Sequence, residues 1–305
     1  DEDAVQQVSE YNIGGYILFG RDFDGKTKDE VVDDIHSYQN EADIPLLIGV
    51  DEEGGTVVRV SSNPNLRETP FLSPKDTYAD GGWDAVKQDA EEKADLLLSL
   101  GINVNLAPVC DMTSDEYGFM YDRSFSSDVD MENRYVRTVV ETSKSKKLGT
   151  VLKHFPGYGN NSDTHTGIAY DDRDYSEFEN TDFKPFYQGI ESGADCILVS
   201  HNIVNCMDSE YPASLSQKVH DILRNEFKFD GVIMTDDLIM DAITDFTGDE
   251  AAAVTAAKCG NDLLCCSSVD TQYPAVLEAV QNGEIPETQV DASVKRILKW
   301  KQNLG

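Results

Sequence analysis

Three stretches of this sequence combine residues that can move protons or attack an electrophile. The first is KHFPGYGNNSDTH, residues 153–165. Asp163 stands two residues from His165, close enough to accept a hydrogen bond from one ring nitrogen. Such a contact fixes the tautomer and stabilises the imidazolium, and the other nitrogen is then free to exchange a proton with a substrate. An Asp-x-His alone is a weak signal. Its position just beyond an apolar run ending in Lys153 and His154 strengthens it.

The second stretch is GVIMTDDLIMDAI, residues 231–243, in which Asp236 and Asp237 close an apolar run. Adjacent carboxylates raise each other's pKa unless a cation lies near, and Lys153, Arg59 and Arg123 are the candidates. One of the pair reads as a local cap for the following helix. We assign that role to Asp237 or its neighbours and send Asp236 into the pocket. The third signal is collective: apolar runs end in GVDEEGG (49–55), APVCDM (107–112), LKHFPG (152–157), VSHN (199–202) and MTDD (234–237). A solvated loop edge accounts for one or two such ends, not for five in order.

The apolar runs themselves are Ile13–Gly20, Ile44–Asp51, Ile102–Met112, Thr150–Gly157, Asp195–Asn202, Gly231–Leu238 and Asn261–Ser267. Most are continuous rather than alternating, which suits parallel strands buried on both faces. Helix-length segments separate them, among them Trp83–Leu100, stopped by Gly101, and Asn133–Leu148, ending in lysines that suit the helix dipole. This alternation predicts an α/β fold with a parallel sheet. The length suits one (β/α)₈ TIM barrel spanning residues 1–305 as a single domain, with its chemistry at the C-terminal strand ends. Seven runs are present where eight are needed, and Asp1–Tyr11 reads as a helix, so the first strand is expected to be absent from this sequence, with a seven-stranded open sheet as the alternative.

Composition narrows the partners. With 25 basic and 57 acidic residues, the formal net charge of −32 repels phosphate backbones and anionic membrane surfaces. No apolar run approaches the length of a membrane span. The six cysteines show no CxxC or zinc spacing, and as free thiols they lean toward a reducing, cytoplasmic compartment, with export open if a signal has been trimmed. No metal site or cofactor is expected, since no two histidines lie at ligand spacing with a third donor. His201 reads equally as a mouth residue and as a packed strand end.

In this order the motifs resemble glycoside hydrolase family 3, in its β-N-acetylhexosaminidase branch. VDEEGG with Arg59, LGINVNLAPVCDM, DRSF (122–125), KHFPG, the DTH at 163–165, SHN with PASLS, VIMTDDL and the closing ILKWK carry the likeness from about residue 13 onward. The resemblance implies a retaining enzyme that removes a terminal N-acetylglucosamine, with Asp236 as nucleophile and His165 as acid/base paired with Asp163. It implies that Asp51, Arg59, Arg123, Lys153 and His154 contact the sugar. The expected partner is a small carbohydrate, either an N-acetylglucosamine-terminated oligosaccharide or a muropeptide from peptidoglycan turnover. A glycoside phosphorylase or β-glucosidase on the same barrel and a non-catalytic sugar-binding protein are the alternatives. Tyr158 departs from the family's usual histidine, and we read that position as supporting the loop.

Overall fold

The computed structural model describes residues 2–159, 167–247 and 249–305. Asp163 and His165 lie outside the described residues. Eight strands are β1 (Gly15–Leu18), β2 (Leu47–Val50), β3 (Val104–Asn105), β4 (Gly149–Phe155), β5 (Tyr170–Asp171), β6 (Cys196–Val199), β7 (Ile203–Val204) and β8 (Val232–Thr235). Six form one all-parallel sheet in the order β1-β2-β3-β4-β6-β8, while β5 and β7 pair separately. Every residue of β2, β4, β6 and β8 is buried, as continuous apolar runs require of a sheet covered on both faces.

The expected closed eight-stranded barrel is not formed. The six strands curl into an open half-barrel with β1 and β8 at its edges. The seventh apolar run, Asn261–Ser267, lies along β8 but contributes only one parallel bridge, Met234 to Leu263. The physical reason is local. The Asp262 carboxylate accepts the Ile233 N–H at 2.9 Å and also binds Arg224, Ser293 and Arg296. A side chain thus fills a place that a backbone ladder would need. The run does bond the β8 backbone, Leu263 giving its N–H to Ile233 O and taking that of Thr235, and on its other side Leu263 Cδ1 lies 3.5 Å from where a Cβ on Gly14 would stand. A cavity of about 540 Å³ occupies this seam, between Tyr11 and Tyr16 on one side and Leu263 and Cys266 on the other.

Helices pack outside the sheet. Ser73 caps Pro74–Ser99 by accepting the Asp76 N–H, and a break at Gly81–Gly82 divides that helix just before the expected start at Trp83. After β7 come a 3₁₀ turn (Ala213–Leu215), a short α-helix (Gln217–Asp221) and a π-turn (Ile222–Glu226). Phe155, Phe183, Phe186 and Phe227 interlock between β4 and these helices. Trp300 of the closing helix Glu287–Leu304 fills the inner side, its indole reaching the backbone of Gly149. The loops at the C-terminal strand ends are therefore carried by a packed base.

Candidate active site

Because the six strands are parallel, their C-terminal ends share one edge of the sheet. Asp51 follows β2, Asp111 lies beyond β3, Lys153 and His154 end β4, His201 follows β6 and Asp236 follows β8. The β4–β6 register shifts between Leu152 and Phe155, so Lys153 and His154 sit at an irregularity, a device that re-aims side chains at sheet ends.

Four charges form the centre. The Lys153 ammonium, 1% exposed, donates to Asp51 Oδ1 and Glu53 Oε1, both at 2.6 Å. Arg123 grips Glu53 with Nε at 3.0 Å and Nη2 at 2.8 Å. Burial alone would push the Glu53 carboxyl up, but Lys153 and Arg123 hold it well below the usual carboxylate range. Burial likewise disfavours the Lys153 charge, and Asp51 and Glu53 together raise its pKa above the ordinary lysine value. Two carboxylates and two cations thus offset one another, with Lys153 and Glu53 buried and Asp51 and Arg123 partly open to the mouth.

His154 is fastened to this centre. Its Nε2 lies 3.2 Å from Arg123 Nη2 and its Nδ1 2.7 Å from Asp111 Oδ2. A guanidinium only donates, so Nε2 accepts and Nδ1 carries the proton given to Asp111. Asp111 also accepts the backbone N–H groups of His154 and Tyr158, at 2.9 and 2.7 Å. Tyr158, 1% exposed, stands edge-on to His154 and to Phe119. The tyrosine ring thus packs against His154 and Phe119, in a cluster with Val109 and Met120. The backbone N–H of Arg59 donates to the buried Glu52 carboxylate, which also takes those of Val60 and Ser61 and so shapes the turn that presents Arg59. Among the described residues, Arg59 Nε is buried without a hydrogen-bond partner.

Across the mouth, the Asp236 N–H donates to Val199 O at 3.2 Å, tying the end of β8 to β6, and its Oδ1 accepts the Asp237 N–H at 2.9 Å. The Asp237 carboxylate is spent locally on Ile239 N and on Ser267. His201 is buried, with Nδ1 2.7 Å from Ser214 Oγ and Nε2 2.9 Å from Asp237 O, which makes it a packed strand end. Burial raises the pKa of Cys265 well above its ordinary value, and the fields of Asp237, Asp236 and Asp51 add to that. Among the described residues no group of His, Cys, Asp and Glu is arranged to hold a metal.

Sequence reasoning quoted the motifs containing Glu53, Glu52 and Asp111 without singling those residues out. Their burial and pairing distinguish them, and neither shows in sequence. Glu132 behind the site is a further case. It is 0% exposed, one oxygen accepts the Ser126 N–H at 2.9 Å and the other has no hydrogen-bond partner among the described residues. Burial pushes its carboxyl well above the usual range, and Asp111 adds to the rise. Such a group contributes stability below its unfolded pKa and loses it as pH rises through the folded one. Glu132→Gln is therefore expected to raise the urea midpoint at pH 8 and leave it unchanged at pH 4. An equal shift at both values would mean that Glu132 is charged in the folded protein.

Residues 1–300 match the Glycosyl hydrolase family 3 N terminal domain. The chain belongs to this family and is a glycoside hydrolase. A Beta-hexosaminidase of Nitrosomonas eutropha is 32% identical over 279 residues, covering 89% of this chain and 78% of that protein. Beta-hexosaminidase LpqI of Mycobacterium tuberculosis is 31% identical over 316 residues, covering 98% and 78%. Among solved structures, the family 3 beta-N-acetylglucosaminidase of Paenibacillus sp. str. FPU-7 superposes with a TM-score of 0.93 at 29% identity. This chain is covered completely in that comparison and spans 59% of the Paenibacillus chain.

Proposed function

We propose that this chain removes a terminal β-linked N-acetylglucosamine with retention of configuration. Asp236 attacks the anomeric carbon and His165, oriented by Asp163, protonates the departing oxygen. Water then attacks the glycosyl-enzyme with His165 as base. The observation that carries the reading is the placement of Asp236 at the end of β8, fixed by backbone hydrogen bonds, on the edge that also carries the Asp51–Lys153–Glu53–Arg123 cluster. Relatives that carry the name beta-hexosaminidase support the choice of sugar. The parts assigned to Asp163 and His165 rest on the DTH motif.

In this reading Asp51, Arg59, Arg123 and Lys153 hold the sugar's hydroxyls and acetamide, and His154 acts through Arg123. A histidine acid suits neutral pH because its ordinary pKa lies near about 6.5. The test compares aryl β-N-acetylglucosaminide with the matching β-glucoside. The acetamido sugar is expected to be preferred, and preference for the glucoside would overturn the specificity. For His165→Ala, kcat/KM is expected to fall roughly 10²–10⁴-fold on chitobiose and far less on a dinitrophenyl glycoside, whose phenol leaves without a proton. Equal losses on the two substrates would remove His165 from the acid role.

A further inference from the structure

Arg173 lies outside every motif that first pointed to the site, yet it is the most fully bonded cation among the described residues. Its Nε donates to both oxygens of Asp171, at 3.1 and 3.0 Å, and Nη2 donates to Asp171 Oδ2 at 2.8 Å. Nη1 donates to both oxygens of Asp182, at 3.1 and 2.9 Å, and Nη2 also reaches Gly157 O at 3.3 Å. Every nitrogen of the guanidinium is thereby engaged. The Phe178 ring lies below, 4.2 Å from Cζ.

These partners come from three places. Gly157 follows β4, at the entry to residues 160–166. Asp171 belongs to β5, at their exit, where Tyr170 and Asp171 pair with Ile203 and Val204 of β7. Asp182, 3% exposed, precedes the helix Phe183–Glu191 and so anchors the group to the packed layer. The backbone on the entry side is moulded to the same charge. A Cβ on Gly159, at φ +55°, would stand 2.7 Å from Arg173 Cζ, and one on Gly157, at φ +121°, 2.4 Å from Asp182 Oδ1. Glycine is required here both by the backbone angle and by the space.

We propose that Arg173 is a positioning residue for proton transfer, clasping together the two ends of the segment that carries Asp163 and His165. The proposal rests on the reading of His165 as acid/base. Asp236 stands at the end of β8, where its N–H bonds Val199 O and its Oδ1 takes the Asp237 N–H, outside the stretch of chain whose ends Arg173 joins. Loosening the clasp is expected to tell first on the proton transfer assigned to His165. A displacement of about 1 Å costs on the order of 100-fold. Lysine at this position offers a point charge with three donors and cannot bridge Asp171, Asp182 and Gly157 in one plane.

The test uses the full chain and reads kcat/KM, which reports formation of the glycosyl-enzyme, on chitobiose and on a dinitrophenyl N-acetyl-β-glucosaminide. Arg173→Lys is expected to lose roughly 100-fold on chitobiose and little on the dinitrophenyl substrate. Gly159→Ala, which presses on the guanidinium without removing a charge, is expected to give the same split and keeps the test decisive if Arg173→Lys folds poorly. Equal effects on the two substrates in folded Gly159→Ala, or none on either, would overturn the clasp. His165→Ala run alongside separates the failures. If it shows the split and the other variants do not, only the clasp fails. If it shows none, the acid/base reading fails and the clasp with it.

Discussion

Asp236→Asn is expected to lower kcat on an aryl β-N-acetylglucosaminide by roughly four orders of magnitude or more, as removal of a nucleophile does elsewhere. The change is nearly isosteric. The carbonyl of the new side-chain amide can still accept the Asp237 N–H, and the backbone bond to Val199 O is untouched. The thermal midpoint is therefore expected to stay close to that of the parent, so that lost activity reports lost chemistry. Asp236→Gly with azide sharpens the test. Azide entering the vacated space attacks C1 as the phenol leaves and gives the glycosyl azide of inverted configuration. An azide of retained configuration would place Asp236 on the leaving-group side and exchange the two roles. Near-parental activity of Asp236→Asn would remove it from the chemistry.

Glu53→Gln is expected to be the most destabilising single change in the site. Glu53 is buried and holds both Lys153 and Arg123. Without its charge Lys153 keeps Asp51 while Arg123 loses the carboxylate it grips, and breaking such a group from one side costs about 3–5 kcal/mol. Urea unfolding at neutral pH measures this directly. The pH dependence has a definite sign. The folded-state pKa of Glu53 is depressed, so its contribution is present above its unfolded value, near about 4.3, and is lost as pH falls toward the folded one. The difference between parent and Glu53→Gln is therefore expected to shrink in acid. A difference that is small at neutral pH, or that does not shrink in acid, would mean that the cluster is solvated and weakly coupled.

These two changes differ in how far the sequence foretold them. The place of Asp236 at a strand end was legible because a carboxylate pair directly follows an apolar run, and Asp237 was set aside for local work of the kind it performs on Ile239 and Ser267. Glu53 sits in the same short motif as Asp51, and nothing in the motif says which acid is buried beneath two cations. The assignment of Asp163 and His165 rests on sequence alone. The closed barrel was the expectation that failed. The count of apolar runs suggested near-closure, but the last run makes only a short backbone contact with β8, where Asp262 takes the Ile233 N–H, and joins no ladder to β1.

What the sequence determined by itself is what neighbours in the chain encode: the parallel strands read from continuous apolar runs, the helices between them, and the motifs that place Asp51, Lys153, His154 and Asp236 at strand ends. Only the tertiary structure decided how those ends are wired. Lys153 meets Asp51 across 102 residues and Arg123 meets Glu53 across 70. Arg173 joins Gly157 to Asp182, and Asp111 selects the tautomer of His154. Periodicity arises from bonds a few residues apart and leaves a pattern that can be read. An ion pair depends on which surfaces the packed sheet brings together, and no local pattern records that.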